Sequence, residues 1–181
     1  LRLAHWDATL TGDEAYTLRH YAAKTPSYIA THYEVANNHV LLSLILNRLN
    51  ALSPKELILT LKSHAVLRLP SYIASVITLA LMLLIGRRIL SAAASPLLAV
   101  LLGATFWHLI YSQLLRGYSL SALFNLLNVV LVGAVLRKGS KSALIALAFS
   151  VAAAHYLVPT NAWMTAALLL WTTLLAAFPG W

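Results

Sequence analysis

Apolar positions run almost without interruption from about residue 66 to residue 178, divided by short polar punctuation. Five stretches approach the roughly 17–25 residues that a membrane-crossing helix needs: about 66–86, 95–115, 118–136, 142–158 and 162–178. Upstream the pattern changes. Over 36–52, Val40, Leu41, Leu42, Leu44, Ile45, Leu46, Leu49 and Leu52 are apolar, while His39, Ser43, Asn47 and Asn50 recur at helical spacing on the opposite face and Arg48 adds a charge. A helix with one face this polar is expected to lie along the membrane surface. Ser53-Pro54-Lys55-Glu56 supplies a capping hydroxyl, a proline at the first helical position and a glutamate at the capping-box position, which predicts a second surface helix over 53–63. Pro70 falls near the start of the first span, where a missing amide is tolerated.

The expected fold is therefore all-α: a polytopic membrane helix bundle over 66–181, preceded by an extracytoplasmic segment, 1–65, of amphipathic juxtamembrane helices. The connections set the sidedness. Gly86-Arg87-Arg88 ends the first span and Arg137-Lys138-Gly139-Ser140-Lys141 separates the third from the fourth. Both are short and basic, which assigns them to the cytoplasm. The segments 111–118 and 155–161, and everything before about residue 66, then fall outside. The outer segment is itself basic, with Arg2, Arg19, Lys24, Arg48, Lys55, Lys62 and Arg68, but long segments cross largely regardless of charge. Reading 36–52 as a span would invert this topology. The chain opens on Leu1 and stops at Trp181 just as an apolar segment finishes, and it reads as a fragment of a longer protein.

Composition agrees. At 60% hydrophobic and 10% charged, with a mean hydropathy of +0.77, the chain is far from an ordinary soluble domain. The net charge of +8 is spread in ones and twos, which marks topology and argues against nucleic acid as a partner. No cysteine is present, so disulfides and thiolate metal sites are excluded. All five acidic residues, Asp7, Asp13, Glu14, Glu34 and Glu56, precede residue 57. Carboxylates are costly in a bilayer, and their confinement to one water-accessible segment beside a helix bundle suggests chemistry at a membrane surface.

Gly12-Asp13-Glu14-Ala15-Tyr16 is the sharpest local feature. Adjacent carboxylates beside an apolar surface can have their pKa values pushed apart, leaving one to act as a base. The plainer local reading is a solvated loop with Asp13 capping a short helix at 14–23. Glu34 follows His32 and Tyr33 and precedes Asn37-Asn38-His39. This polar cluster could bind a hydroxylated substrate or a divalent cation, although His32, Glu34 and His39 lack a recognised ligand spacing; the alternative is Asn37 or Asn38 capping the next helix. Arg116, in Tyr111-Ser112-Gln113-Leu114-Leu115-Arg116-Gly117-Tyr118, is the one charge between Arg88 and Arg137. It is either a snorkelling residue or a phosphate clamp, since guanidinium matches phosphate bidentately. His108, Asn125, Asn128, His155 and Asn161 read as interhelical hydrogen-bonding residues, and Trp107, Trp163 and Trp181 as interface anchors or packing.

Taken in order, these motifs resemble the membrane glycosyltransferases of the GT-C class, in the branch of the protein O-mannosyltransferases and the lipid A aminoarabinose transferase. The resemblance rests on Gly12-Asp13-Glu14-Ala15-Tyr16-Thr17; on Glu34 followed by Asn37-Asn38-His39-Val40-Leu41; on Leu67 to Ser71 entering a span that ends at Gly86-Arg87-Arg88; and on Tyr111, Ser112, Arg116, Gly117 and Tyr118. It covers about residues 5–136. Where that family carries His-Pro-Pro or Lys-Pro-Pro, this chain has Asn37-Asn38-His39, so donor and acceptor identity do not carry over. The family's first membrane helix, later spans and C-terminal outer domain have no counterpart here.

The resemblance implies an enzyme of the cytoplasmic membrane with its active site on the extracytoplasmic side. It would move a sugar from a polyprenyl-phosphate donor to the hydroxyl of a protein, glycan or lipid acceptor, with inversion. Asp13 would be the base. Glu14 and Glu34 would orient the acceptor or bind a divalent cation. Arg116, with Arg68 or Arg19, would stabilise the departing phosphate, with Tyr118, His39 and Asn38 lining the site. Two other readings stand beside this one. A lipid or solute transporter or flippase would place ionisable groups near the bilayer midplane, where these spans carry no carboxylate. A non-catalytic scaffold would leave Asp13, Glu34 and Arg116 dispersed.

Overall fold

A computed structural model of the chain describes residues 8–35, 37–52, 65–89 and 91–177. Its helices are α1 (Gly12–Thr17), which runs on as a π-helical turn (Leu18–Ala22), α2 (Pro26–Thr31), α3 (Val40–Leu52), α4 (Ala65–Ile89), α5 (Ala94–Ala104), α6 (Phe106–Gln113), α7 (Tyr118–Lys138), α8 (Lys141–Leu157) and α9 (Asn161–Ala177). No strand occurs among the described residues, in keeping with the expected all-α class.

Two of these helices, α4 and α7, are long and apolar enough to cross a membrane, and α5 with α6 makes a third candidate bent by 62°. That is fewer straight spans than the five expected from hydropathy. The stretch 95–115 is broken at Thr105, whose extended backbone interrupts the helix and whose hydroxyl donates to the Leu102 carbonyl at 2.8 Å. Apolar character continues through the break, so hydropathy does not register it. Helices α8 and α9 have 17 residues each. Ser140 caps the start of α8 through the Ala143 amide, and extended Val158 ends it because Pro159 disfavours helical geometry in the residue before it. The surface helix expected over 36–52 begins at Val40. The one expected over 53–63 lies outside the described residues.

Two N-terminal details correct the sequence reading. Thr11, not Asp13, caps the first helix. Its hydroxyl accepts from the Glu14 amide while the Glu14 side chain accepts from the Thr11 amide, a reciprocal capping box. A further short helix, α2, is started by Thr25 and Pro26 and was not anticipated.

The apolar core gathers at one end of the bundle. Ala22, Leu42 and Leu46 of the N-terminal segment pack with Leu67 and Ala74 of α4, with Leu115 and Leu120 around the start of α7, and with Leu157 at the end of α8. Away from this junction, large apolar side chains such as Leu97, Val100, Phe149, Trp163 and Leu169 are exposed, as surfaces facing hydrocarbon should be and as water would not favour. Ser71 Oγ, early in α4, donates to the Arg116 carbonyl just before α7 at 3.0 Å, so α4 and α7 leave from the same end. Arg87, Arg137 and Lys138 therefore sit at the opposite end. There Gly86 lets α5 approach closely: a Cβ at this position would lie 2.8 Å from Ser95 Oγ.

Asn161 pairs polar groups of three helices, whereas among the described residues the buried side chain of Asn128 in α7, expected to bond between helices, has no partner. Asn161 Oδ1 accepts from Ser121 Oγ at 3.0 Å and from Asn125 Nδ2 at 2.9 Å, and its Nδ2 donates to the Ala154 carbonyl at 2.6 Å. One side chain thus ties α7, α8 and α9 together. Asn161→Ala should remove all three bonds and cost about 1–2 kcal/mol, seen as a lowered midpoint of thermal unfolding in detergent; an unchanged midpoint would mean the helices hold without this residue.

Candidate functional site

The site is built on the capping box. Placing Glu14 at the third position of α1 turns its side chain back toward Thr11 and inward, and it becomes fully buried. Its carboxylate meets four donors. Oε1 accepts from Arg68 Nε at 3.1 Å and from the Leu115 amide at 2.7 Å. Oε2 accepts from Arg68 Nη2 at 3.0 Å and from the Thr11 amide at 2.8 Å. Arg68 is 1% exposed and also donates through Nη1 to the Ala8 carbonyl at 3.0 Å. Burial alone would raise the Glu14 pKa, but the bonds from Arg68, Leu115 and Thr11, with the charge of Arg68, outweigh it and hold the carboxyl below its ordinary value. Glu14 and Arg68 are thus committed to each other inside the protein.

Asp13, the neighbour of Glu14, lies on the solvent side. Its Oδ1 accepts from Asn37 Nδ2 at 3.0 Å, and its Oδ2 forms an ion pair with Arg116 Nη2. Arg116 Nη1 donates to Asn37 Oδ1 at 3.0 Å. Asp13, Asn37 and Arg116 therefore form a closed ring of hydrogen bonds. The Asp13 side chain is 58% exposed and that of Arg116 13%. The Thr17 hydroxyl lies 3.0 Å from both the Asp13 and Asn37 carbonyls and fastens the turn beneath the ring.

Behind the ring, Asn38 is buried. It donates to the Ile29 and His32 carbonyls at 3.0 and 2.6 Å and accepts from Ser43 Oγ at 3.1 Å. His39 is buried too, with Nδ1 2.9 Å from the Leu157 carbonyl. A carbonyl only accepts, so this nitrogen carries the proton. Burial, partly offset by that bond and reinforced by the charge of Arg116, lowers the His39 pKa and keeps the ring neutral near pH 7. Gly117 makes room for it: a Cβ there would stand 3.0 Å from His39 Cγ. Tyr118 meets His39 edge-on at 5.1 Å between ring centres and Tyr111 at 4.5 Å.

The structure thus brings Asp13 and Arg116 together, with Tyr118, His39 and Asn38 close by. It gives Glu14 and Arg68 to an interior ion pair, so neither offers itself to a ligand at the rim. Glu34 is exposed; its charge adds to the burial that raises the Tyr21 phenol, and it takes no part in the Asp13 ring. Arg19 is exposed on the π-helical turn. Among the described residues no three of His, Asp and Glu gather closely enough to hold a metal ion. The sequence places Asn37 in a polar cluster with Glu34, Asn38 and His39 or at a helix cap, and gives no sign that it bridges Asp13 and Arg116. For Thr17 and the Leu115 amide the sequence holds no signal.

Acid should act in two stages. The folded His39 pKa is lowered, so its contribution to stability is complete above the ordinary histidine value of 6.5 and is lost as pH falls below it. The folded Glu14 pKa is lowered from 4.5, so its contribution is complete above that value and is lost as pH falls through the lower folded value. Unfolding midpoints measured against pH should show both stages, and His39→Gln should abolish the upper one. At neutral pH, Arg68→Met leaves Glu14 buried without its counter-ion and should cost about 3–5 kcal/mol, with Glu14→Gln/Arg68→Met recovering part of the loss; equal stability of all three proteins by thermal melting would contradict the burial. The chain matches no known family model, and no curated protein or solved structure matches it.

Proposed function

We propose that the protein is an integral-membrane glycosyltransferase that moves a sugar from a polyprenyl-phosphate carrier to an acceptor hydroxyl at the extracytoplasmic face. The observation that carries this reading is the pairing of Asp13 with Arg116, a carboxylate and a guanidinium from segments 103 residues apart. They meet at a water-accessible rim, at the end of the bundle opposite Arg87, Arg137 and Lys138. Short basic connections favour the cytoplasm, which supports placing the rim outside.

The chemistry then follows from the two groups. Asp13 takes the proton of the acceptor hydroxyl. That oxygen bonds to the anomeric carbon from the face opposite the phosphate, and the bond from this carbon to the phosphate oxygen breaks. The electron pair leaves on the polyprenyl phosphate, next to Arg116, which balances the growing negative charge. Single displacement inverts the anomeric centre. Neutral His39 brings no competing charge to the phosphate.

Two observations favour a second reading. The 62° bend between α5 and α6 and the buried side chain of Asn128 in α7, without a partner among the described residues, suit a transporter, in which broken helices and intramembrane polar groups line the path. Purified protein in liposomes distinguishes the two. Transfer from polyprenyl-phosphate sugars to a soluble acceptor supports the first reading; lipid or solute flux without transfer supports the second. Under the first, Asp13→Asn should lower the transfer rate about 10²–10⁴-fold with the melting temperature unchanged. Full activity in that variant would remove Asp13 from the chemistry.

A further inference from the structure

We infer that the Asp13 carboxylate is the resident occupant of the Arg116 guanidinium and is displaced when the phosphate of a lipid phosphate arrives. The identity of the carrier rests on the reading above. The exchange itself rests on the geometry of the ring.

Arg116 is the fixed member of the pair. Its carbonyl is held by Ser71 Oγ at 3.0 Å, the amide of Leu115 before it is held by Glu14 at 2.7 Å, and its Nη1 is held by Asn37 at 3.0 Å. Its side chain is 13% exposed, against 58% for Asp13. The carboxylate therefore covers the water side of the guanidinium, and an anion arriving from water or from the headgroup layer meets Asp13 first. A guanidinium fork accepts a carboxylate or a phosphate with the same pairs of N–H groups, so the two compete for one position. Arg68 does not compete, because Glu14 already neutralises it.

The exchange has a structural consequence. When phosphate takes Nη2, Asp13 loses that partner and keeps its bond to Asn37 Nδ2, so one carboxylate oxygen is released toward water, where it can meet the acceptor hydroxyl.

Two measurements on the full chain in detergent micelles test this. In the first, binding of a short-chain polyprenyl phosphate is compared between wild type and Asp13→Asn by calorimetry. Releasing an exposed ion pair and its repulsion toward the ligand should tighten binding about three- to tenfold, and Arg116→Gln should abolish binding. In the second, which needs no variant at position 13, aspartate is labelled with 13C at the side-chain carboxyl. The chain has two aspartates, and Asp7 serves as the reference. Polyprenyl phosphate should move the Asp13 resonance in wild type and leave it in place in Arg116→Gln. Unchanged affinity in Asp13→Asn, or an unmoved Asp13 resonance at saturation, overturns the exchange. Inorganic phosphate, or phosphatidylglycerol vesicles without the polyprenyl phosphate, acting at equal concentration overturns the assignment to the lipid carrier. Tightened binding in a protein that transfers no sugar supports the exchange while removing the glycosyltransferase reading; sugar transfer without tightened binding does the reverse.

Discussion

A carboxylate in an apolar interior is tolerated only if its oxygens are met by donors and its charge by a counter-ion. Glu14 satisfies that condition with groups drawn from three residues, Thr11, Arg68 and Leu115. Removing both ions from water costs several kcal/mol each, so such a pair does little for net stability. Its effect is on register. The pair closes only when α1 lies at one depth and one rotation on the start of α4, and only when the Leu114–Gly117 turn points its backbone inward. Alternative dockings of the N-terminal segment leave two charges buried and unmatched.

That register sets the geometry at the surface. Successive residues of a helix are about 100° apart around its axis, so turning Glu14 inward turns Asp13 outward along the rim. On the other side of the contact, fixing the Leu115 amide fixes Arg116, the next residue. Each member of the buried pair thus controls a member of the exposed one. Asn37 and Thr17 close the remaining gap. His39 fills the space behind, in a pocket that exists because residue 117 has no side chain, and its bond to Leu157 joins the rim to the end of α8.

Much of this was legible in the sequence, and the limits have physical causes. Hydropathy located the helices from Ala65 onward, because runs of about 20 apolar residues are what a bilayer selects. It did not show the break at Thr105, since a bent helix pair is as apolar as a straight one. The confinement of the acids before residue 57 and the lone charge of Arg116 marked these residues as candidates, though not as partners of each other. What could not be read was which acid pairs with which arginine. Asp13 and Glu14 are adjacent, Arg68 and Arg116 are both near apolar segments, and the choice is made by the capping box together with a backbone amide, neither of which sequence spacing encodes. Asn37 reads equally as part of the Glu34 cluster or as a cap, because an amide before a helix has a ready explanation as one; here its side chain bridges Asp13 and Arg116 instead.

The contrast between the two neighbouring acids is what gives the rim chemical potential. Environment, more than residue type, decides what a carboxylate does. Glu14 has every lone pair engaged and no path to water, so it stays ionised and takes no part in exchange with solvent. Asp13 has one partner that is neutral and one that is charged, and it faces water. The neutral partner, Asn37, can hold it in place while the charged one is taken by another anion. A buried ion pair that cannot move therefore stands beside an exposed one that can, one residue away, and the rigidity of the first is what lets the second open without disturbing the packing beneath it.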